Sequence, residues 1–256
     1  MLRNSFCFLD GVGETTEQRL WQQGITTWND FIDTSSVRGI GDQRKQQHEQ
    51  FLQKADKNLE KRNRAFFNHK VPDREHWRLY EEFKDSIAYL DIETTGLDQR
   101  RNKITTVSIY DGSDATTLVQ GQDLNAEQLQ QLLDRYELLV TFNGKQFDLP
   151  FLTHNLPDLE LDHPHIDLMY DCKKLGLKGG LKAIEQELGI GRDDIDDIDG
   201  REAIRLWKKH QRGDEQALET LIEYNQKDVQ NLAPLLQHTY TRLKDKKFKR
   251  HVANSH

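Results

Sequence analysis

A short apolar run at residues 86–92 (Ser-Ile-Ala-Tyr-Leu-Asp-Ile) most constrains what this chain can fold into. The run is long enough for a buried strand and too short for a helix of the core. Residues 103–110 form a second run, rich in β-branched and aromatic side chains, and a turn sequence at 111–114 separates it from a third run at 116–119. We expect the second and third runs to pair as a hairpin.

The elements that follow place these strands in a mixed α/β domain. Asn125 begins a predicted helix that ends near Tyr136, and residues 138–142 form a fourth buried strand. Further helices are predicted over residues 181–188, 202–210 and 214–243. Three strands, a helix, a fourth strand and more helices describe a mixed sheet flanked by helices.

The first 60 or so residues follow a different pattern. Gly-x-Gly turns at residues 11–13 and 39–41 each precede a helical pattern. Residues 45–61 are nearly all helix formers, which predicts an exposed helix, and Pro72 interrupts the helical stretch. The predicted organisation is a small all-α N-terminal domain (1–62), a helical connector (63–85), the α/β domain (86–243) and a basic tail (244–256).

Composition excludes several classes of protein. Two cysteines, Cys7 and Cys172, cannot form a disulfide framework or a zinc site by themselves. No stretch approaches the roughly 18 apolar residues of a membrane span, and no signal-peptide pattern is present. We therefore expect a soluble, cytoplasmic protein with no membrane partner. The net charge of −7 argues against a nucleic-acid partner, but the strength of this argument depends on where the acids lie.

Four carboxylates occupy positions that suit a catalytic or metal-binding site. Asp91 and Glu93 alternate along the first strand, so both project from one face at its C-terminal end. Asp148 stands where a helix begins, and a simple helix cap is the alternative. Asp228 lies four residues after Tyr224 on one helix face, and a solvent-exposed Asp beside a core-edge Tyr is the alternative. Burying paired acids is costly unless a cation compensates for their charge.

Together these segments resemble the three motifs of the DEDD superfamily of 3′–5′ exonucleases. The motifs are Asp-Ile-Glu-Thr-Thr-Gly-Leu at residues 91–97, Asn143 with Phe-Asp at 147–148, and Tyr224 with Asp228. The Tyr four residues before the last Asp resembles the pattern of the tyrosine subclass. Residues 199–207, together with the stretch from Tyr224-Asn225 to Asp228, resemble the YprB-type branch. The resemblance implies a ribonuclease-H-like fold that hydrolyses phosphodiester bonds at the 3′ end of nucleic acid. Single-stranded or 3′-overhang DNA is the favoured substrate, and RNA is the alternative.

The same resemblance implies a role for each residue. Asp91 bridges two divalent cations, Mg²⁺ or Mn²⁺, Glu93 and Asp228 complete one metal site, and Asp148 holds the second cation. Two such cations about 3.5–4 Å apart can activate water and stabilise a leaving oxygen. Tyr224 orients the attacking water, as suits a neutral phenol. The residues expected to bind the 3′-terminal nucleotide are Thr94, Thr95, Gly96, Leu97, Asn143, Lys145 and Phe147, with Leu97 packing on its base.

The remaining patterns are weaker. The two Gly-x-Gly turns are similar to a pair of helix-hairpin-helix motifs, whose backbone N–H groups contact phosphate. Glu14, Glu17 and Asp42 depart from that pattern, so a purely structural role is the alternative. Isoleucines interrupt the acidic stretch 193–199, which excludes a calcium loop and favours a solvated one. A non-catalytic nucleic-acid-binding module on the same fold is the competing function.

Overall fold

The computed structural model describes residues 1–190 and 200–252 of the 256-residue chain. The chain divides into two units. The first comprises Met1–Lys84, Asp162–Pro164 and Tyr240–His256, and the second comprises Asp85–Leu161 and His165–Thr239. The acidic stretch 193–199 lies outside the described residues.

The first unit is helical, as the sequence predicts. Its helices are α1 (Glu14–Gln22), α2 (Trp28–Asp33), α3 (Asp42–Glu60), α4 (Arg64–Lys70) and α5 (Tyr80–Phe83), with 3₁₀ turns at Leu2–Asn4 and Asp73–Leu79. Gly13 and Gly41 are the N-caps of α1 and α3. The first glycine of each turn, Gly11 or Gly39, has a positive φ, of 69° or 90°. Glycine adopts that backbone conformation without steric cost, which explains both Gly-x-Gly patterns.

Helix α3 is amphipathic, so the expectation of an exposed helix is wrong. His48, Leu52, Ala55 and Leu59 are buried. Their spacing of three and four residues places them on one side of the helix. Most of the polar helix formers cover the opposite side, so the composition, rich in Gln, Lys and Glu, gives no sign of the buried stripe.

Glu17 is the buried partner of an arginine. Each of its carboxylate oxygens accepts a hydrogen bond of 2.9 Å from the Arg78 guanidinium. The backbone N–H groups of Phe6 and Cys7 donate to the same carboxylate. A paired and fully hydrogen-bonded charge is the form in which carboxylates are tolerated inside a protein. Glu17 therefore has a structural role in the first unit, and contact between the glycine turns and phosphate stays a prediction.

The second unit is built on a five-stranded mixed sheet in the order β3-β2-β1-β4-β5. Its strands are β1 (Ile87–Thr94), β2 (Ile104–Tyr110), β3 (Ala115–Val119), β4 (Leu138–Thr141) and β5 (His165–Asp167). Strand β2 pairs antiparallel with β1 and β3, whereas β4 pairs parallel with β1 and β5. The four predicted strands and the hairpin are confirmed. The sequence does not predict β5, because three residues are too few for a period to be recognised.

Helices cover both faces of this sheet. They are α6 (Ala126–Leu133), α7 (Asp148–Asn155), α8 (Leu168–Leu175), α9 (Leu181–Leu188), α10 (Gly200–His210) and α11 (Glu215–Lys244). Leu133 of α6 and Phe151 of α7 pack in the core on one face. Trp207 of α10 and Leu221 of α11 pack with Val119 on the other. The predicted mixed sheet flanked by helices is therefore confirmed.

The described part of the tail is helical and belongs to the first unit. A π-helical turn at Asp245–Lys249 and a helical turn at Arg250–Val252 follow α11. Lys247 of this segment pairs with Glu14 of α1. The helices that the structure describes include none with the length and apolar character needed to cross a membrane.

Candidate functional site

The C-terminal end of β1 presents two carboxylates on one face of the sheet. Alternate residues of this strand pack into the core on the other face, so Asp91 and Glu93 project together on the side of α10. The β1–β2 register shifts between Glu93 and Thr94. Such an irregularity bends a strand and re-aims its side chains, and it often lies beside a site.

Asp148 joins these acids from the start of α7. It is the first residue of that helix and only 2% exposed, and the N-cap is Phe147, without a side-chain hydrogen bond. The Asp148 carboxylate instead accepts a hydrogen bond from the backbone N–H of Ile92, with an N···Oδ1 distance of 3.2 Å. The helix-cap alternative is therefore wrong, and Asp148 is tied to the strand that carries Asp91 and Glu93.

Helix α11 contributes Tyr224 and Asp228, one turn apart. Both are buried, at 6% and 8% exposed, so the alternative of a solvent-exposed Asp is wrong. The Tyr224 hydroxyl donates to the Asp228 carboxylate. The residues predicted to face the core from their spacing are buried: Leu221, Val229, Leu232 and Leu235.

Three of the four carboxylates converge closely enough to hold one cation. One oxygen each from Asp91, Glu93 and Asp228 lies within 4.8 Å of the others. Asp148 lines the same cleft. Mg²⁺ and Mn²⁺ prefer such hard oxygen ligands, whereas softer metals take sulfur or imidazole. The residues present therefore fit a hard divalent cation.

The electrostatics of the cluster also favour a cation. Burial raises the pKa of Asp91, and the charges of Asp148, Asp228 and Glu93 raise it further. Burial, followed by the charges of Asp228 and Asp148, raises the pKa of Glu93 to about 8. The pKa of Asp148 rises to about 7, mainly through burial. Like charges in a desolvated site disfavour each other's ionised form, and a bound cation reverses that effect.

Tyr224 is held as a neutral phenol. Burial raises its pKa, and the nearby charges of Asp228 and Glu93 add to the effect. The Lys182 ammonium lies over its ring, 5.1 Å from the ring centroid. A cation over an aromatic face is attracted to it, so Lys182 helps to fix the ring while the hydroxyl faces Asp228.

The carboxylates and Tyr224 line a cleft of about 460 Å³. Of the residues predicted to bind a nucleotide, the structure brings Thr94, Leu97, Asn143 and Phe147 into the lining of this cleft. Thr95 and Gly96 support the loop that carries Leu97 and do not line the cleft. Lys145 instead lines a neighbouring depression with Gln99 and His154.

The loop after β1 displays Leu97, which is 84% exposed. Asn102 braces this loop, because its Oδ1 accepts from the Thr95 hydroxyl at 3.2 Å and its amide N–H donates to the Asp98 carbonyl at 2.9 Å. A Cβ at Gly96 would lie 2.5 Å from Asn102 Oδ1, so the close approach requires glycine. The apolar Leu97 side chain is thus presented by a preorganised loop.

A second anchored loop joins β4 to α7. Asn143 has a left-handed backbone, with φ of 65°, which Asn tolerates better than most residues. The Asp167 carboxylate accepts hydrogen bonds from the backbone N–H groups of Asn143, at 2.8 Å, and Lys145, at 3.0 Å. An unusual backbone held by its surroundings is common at functional sites. Asp167 therefore fixes the loop that leads to Phe147 and Asp148.

Several residues of the site are not predicted by the sequence. Asn225 Nδ2 donates to Asp91 Oδ2 at 2.7 Å, and Leu181, Arg201 and Ile204 line the cleft. The place of Asn225, directly after Tyr224 on a helix facing the sheet, is a signal that could have identified it. Leu181 and Ile204 carry no such signal, because they have the pattern of ordinary core residues.

Several solved structures are similar to this chain at low sequence identity. The family B DNA polymerase from the hyperthermophilic archaeon Pyrobaculum calidifontis gives a TM-score of 0.52 at 16% identity, covering 63% of this chain and 25% of the polymerase. Brucella melitensis NrnC with bound Mg²⁺ gives 0.47 at 23% identity, covering 69% of this chain and 83% of NrnC. NrnC bound to pGG gives 0.49 at 23% identity, covering 69% and 82%. A search of curated proteins gave no match.

The second unit has a mixed five-stranded sheet with helices on both faces, and the polymerase structure is similar to it in fold. The family model described as the RNase_H superfamily matches residues 88–240, which is more than half of the sequence. The chain belongs to the RNase_H superfamily, and the fold implied by its motifs is confirmed.

Proposed function

We propose that the chain is a metal-dependent 3′–5′ exonuclease that hydrolyses phosphodiester bonds at the 3′ end of nucleic acid. Within this proposal it belongs to the tyrosine subclass of the DEDD superfamily and to the YprB-type branch. The observation that carries the proposal is the convergence of Asp91, Glu93 and Asp228 within 4.8 Å. Membership of the RNase_H superfamily supports it independently.

The proposed cofactors are two divalent cations, Mg²⁺ or Mn²⁺. When bound, such cations supply Lewis-acid activation of water and stabilise charge on the phosphate. Asp91, Glu93 and Asp228 would hold one cation, and Asp91 with Asp148 would hold the other. Because these acids have raised pKa values, cation binding would release protons and strengthen as the pH rises.

Tyr224 has the proposed role of orienting the attacking water. Its raised pKa keeps the phenol protonated, so Tyr224 can donate one hydrogen bond and accept another but cannot act as a general base. Its O–H already donates to Asp228, which leaves the phenol oxygen free to accept from water. Asp228 would thereby orient the phenol oxygen of Tyr224 that accepts a hydrogen bond from the water.

The cleft suits the end of a single strand. Its volume of about 460 Å³ is within the usual range of small-ligand sites. Leu97 and Phe147 offer apolar surfaces on which a base can pack, and aromatic stacking contributes about 1–3 kcal/mol per base. A terminal base has to be unpaired to reach them. We therefore propose single-stranded or 3′-overhang ends as substrates. The similarity of the two glycine turns to helix-hairpin-helix motifs is the reason for favouring DNA over RNA.

The test uses the full chain with 5′-labelled DNA and RNA, each single-stranded or with a 3′ overhang. We expect a ladder of products shortened from the 3′ end with Mg²⁺ or Mn²⁺, and none with EDTA. Asp91→Ala and Asp228→Ala should abolish the ladder and leave the circular-dichroism spectrum intact. The matched control is Asp158→Ala, because Asp158 is exposed and outside the cleft lining.

Each outcome bears on one part of the proposal. Intact labelled strands under all metal conditions would refute nuclease activity. Undiminished cleavage by a folded Asp91→Ala or Asp228→Ala variant would refute the metal assignment. Cleavage of RNA but not DNA would overturn the substrate preference and leave the reaction class standing.

A further inference from the structure

A hydrogen-bonded pair of buried polar residues lies behind Asp91. Asn225 Nδ2 donates to Asp91 Oδ2 at 2.7 Å, and the Thr106 hydroxyl donates to Asn225 Oδ1 at 2.9 Å. Both Asn225 and Thr106 have an exposed fraction of 0%, and neither lines the cleft. They therefore contact a member of the acidic cluster without contacting anything that enters the cleft.

We propose that Asn225 and Thr106 are positioning residues that fix the Asp91 carboxylate in the orientation required for cation binding. This inference rests on the proposed function, since it concerns how one proposed ligand is held. Thr106 acts through Asn225, and Asn225 acts through Asp91. Donors that orient a ligating side chain before the cation arrives reduce the rearrangement that binding requires.

The chemistry of the three groups fixes the direction of the chain of hydrogen bonds. A carboxylate only accepts, so the amide must turn its NH₂ group toward Asp91 and its oxygen toward Thr106. The Thr106 hydroxyl then has to donate, which it does because its rotatable hydrogen can face Asn225 Oδ1. Turning the amide over would place two oxygens in contact at Asp91. The carboxylate therefore sets the orientation of the amide, and the Thr106 hydroxyl satisfies the amide oxygen in that orientation.

Topology explains why these residues meet. Thr106 pairs with Glu93 across the β1–β2 ladder, so it lies beside the strand end that carries both acids. Asn225 follows Tyr224 and precedes Asp228 on α11. One helix thus supplies a proposed ligand, Asp228, and the donor that holds another ligand on the strand. A hydrogen bond to an ionised acceptor is about twice as strong as one between neutral groups, so with a cation bound the hydrogen bond from Asn225 would restrain the Asp91 carboxylate firmly.

The competing interpretation is a general clamp between helix and sheet, and the chain offers a matched pair to distinguish it. Gln226 Nε2 donates to the Thr117 hydroxyl at 3.1 Å. This bond also joins a threonine of the sheet to an amide of α11, one residue further along the helix and one strand further across the sheet. The Thr117 hydroxyl contacts Ser108 and none of the four acids. Loss of the Thr117 hydroxyl should affect the packing of the helix on the sheet but not the orientation of the Asp91 carboxylate.

The test measures Mn²⁺ affinity of the full chain by the electron paramagnetic resonance signal of free Mn²⁺, without substrate. Asn225→Ala should raise the Mn²⁺ Kd about 10- to 100-fold, and Thr106→Val should raise it about tenfold. Thr106→Ser retains the hydroxyl and should restore affinity to within about twofold of wild type. Thr117→Val should leave the Kd unchanged. Thr106→Val keeps the β-branched shape, so the test survives if Asn225→Ala fails to fold.

Kinetics on a labelled oligonucleotide give a second measurement. At limiting Mn²⁺, Thr106→Val should lower kcat and leave KM for the oligonucleotide unchanged, because the cleft lining is intact. If the wild type binds Mn²⁺ and Thr106→Val binds it with the same Kd, the positioning role is overturned and the proposed function is unaffected. An equal loss of affinity in Thr106→Val and Thr117→Val would also overturn it, in favour of a general clamp. A wild-type protein that binds no Mn²⁺ would refute the proposed function together with this inference.

Discussion

Replacing Glu93 with glutamine should stabilise the metal-free protein at alkaline pH. Burial and the charges of Asp228 and Asp148 raise the pKa of Glu93 from 4.5 to about 8. An acid with a higher pKa in the folded than in the unfolded state destabilises the fold once it ionises. Glutamine has almost the same shape and no charge, so Glu93→Gln removes the repulsion without opening a cavity.

The two pKa values define the pH window. Below the unfolded value of 4.5, Glu93 is protonated in both states and its charge has no effect on stability. Between 4.5 and about 8 only the folded state retains the proton, so the free energy of unfolding falls as the pH rises. Above about 8 the destabilisation is complete. The gain in the free energy of unfolding from Glu93→Gln should therefore be absent near pH 4.5 and largest above about pH 8.

The size of the effect follows from the shift. One unit of pKa corresponds to about 1.36 kcal/mol, so the whole shift would be worth about 5 kcal/mol. Part of Glu93 remains in contact with solvent, and screening reduces this to roughly 2 kcal/mol. Each kcal/mol changes the Tm of a domain of 150–250 residues by about 2–4 °C, so we expect a gain of about 4–8 °C.

The assay is thermal unfolding in EDTA at about pH 4.5 and about pH 8.5, followed by circular dichroism. Glu219→Gln is the control, because Glu219 is exposed on α11 and should match wild type at both pH values. Added Mg²⁺ should stabilise wild type more than Glu93→Gln, since the variant lacks one proposed ligand. No gain for Glu93→Gln at alkaline pH would refute the repulsion. An equal gain at both pH values would attribute it to packing instead.

Three further predictions concern other parts of the site. Tyr224→Phe should lower kcat by about 10²-fold, because the hydroxyl that would orient the attacking water is lost; unchanged single-turnover rates would contradict its role. Gly144→Ala should destabilise the protein by about 1–3 kcal/mol in urea unfolding, because the new Cβ would lie 2.1 Å from Thr141 Oγ1. Gly180→Ala, where nothing lies within 4 Å, should not destabilise it comparably. Leu97→Ala should leave Tm unchanged because the side chain is 84% exposed, and should raise the Kd for an oligonucleotide several-fold. An unaltered Kd would contradict base packing by Leu97.

Much of the second unit could be predicted because its strands are continuous local runs. β1, β2 and β4 are buried along nearly their whole length, so apolar and β-branched residues follow one another in the sequence. Strand β5 is a strand only through its pairing with β4, and three residues hold no local sign of that partner. The buried stripe of α3 escaped prediction for a related reason. Its buried positions include His48 as well as Leu52, and composition alone hides a stripe of mixed polarity.

The acids of the site could be predicted because spacing determines which way they point. A separation of two on a strand placed Asp91 and Glu93 together, and a separation of four on a helix aligned Tyr224 with Asp228. The supporting contacts are long-range and carry no such spacing. Asn225 is separated from Asp91 by 134 residues, so its role depends on where α11 crosses the sheet. Local rules therefore identify the acids proposed as ligands but not the groups that hold them.

The acidity that argues against a nucleic-acid partner has a different meaning once the acids are located. Four of the carboxylates behind the net charge of −7 lie in one cleft, where they raise one another's pKa. Two divalent cations would carry a charge equal and opposite to theirs, so a loaded cleft would not repel a phosphodiester. Lys182 and Arg201 also lie beside this cleft. Net charge describes the whole surface, whereas affinity for a strand end depends on this one cleft and on whether its cations are bound.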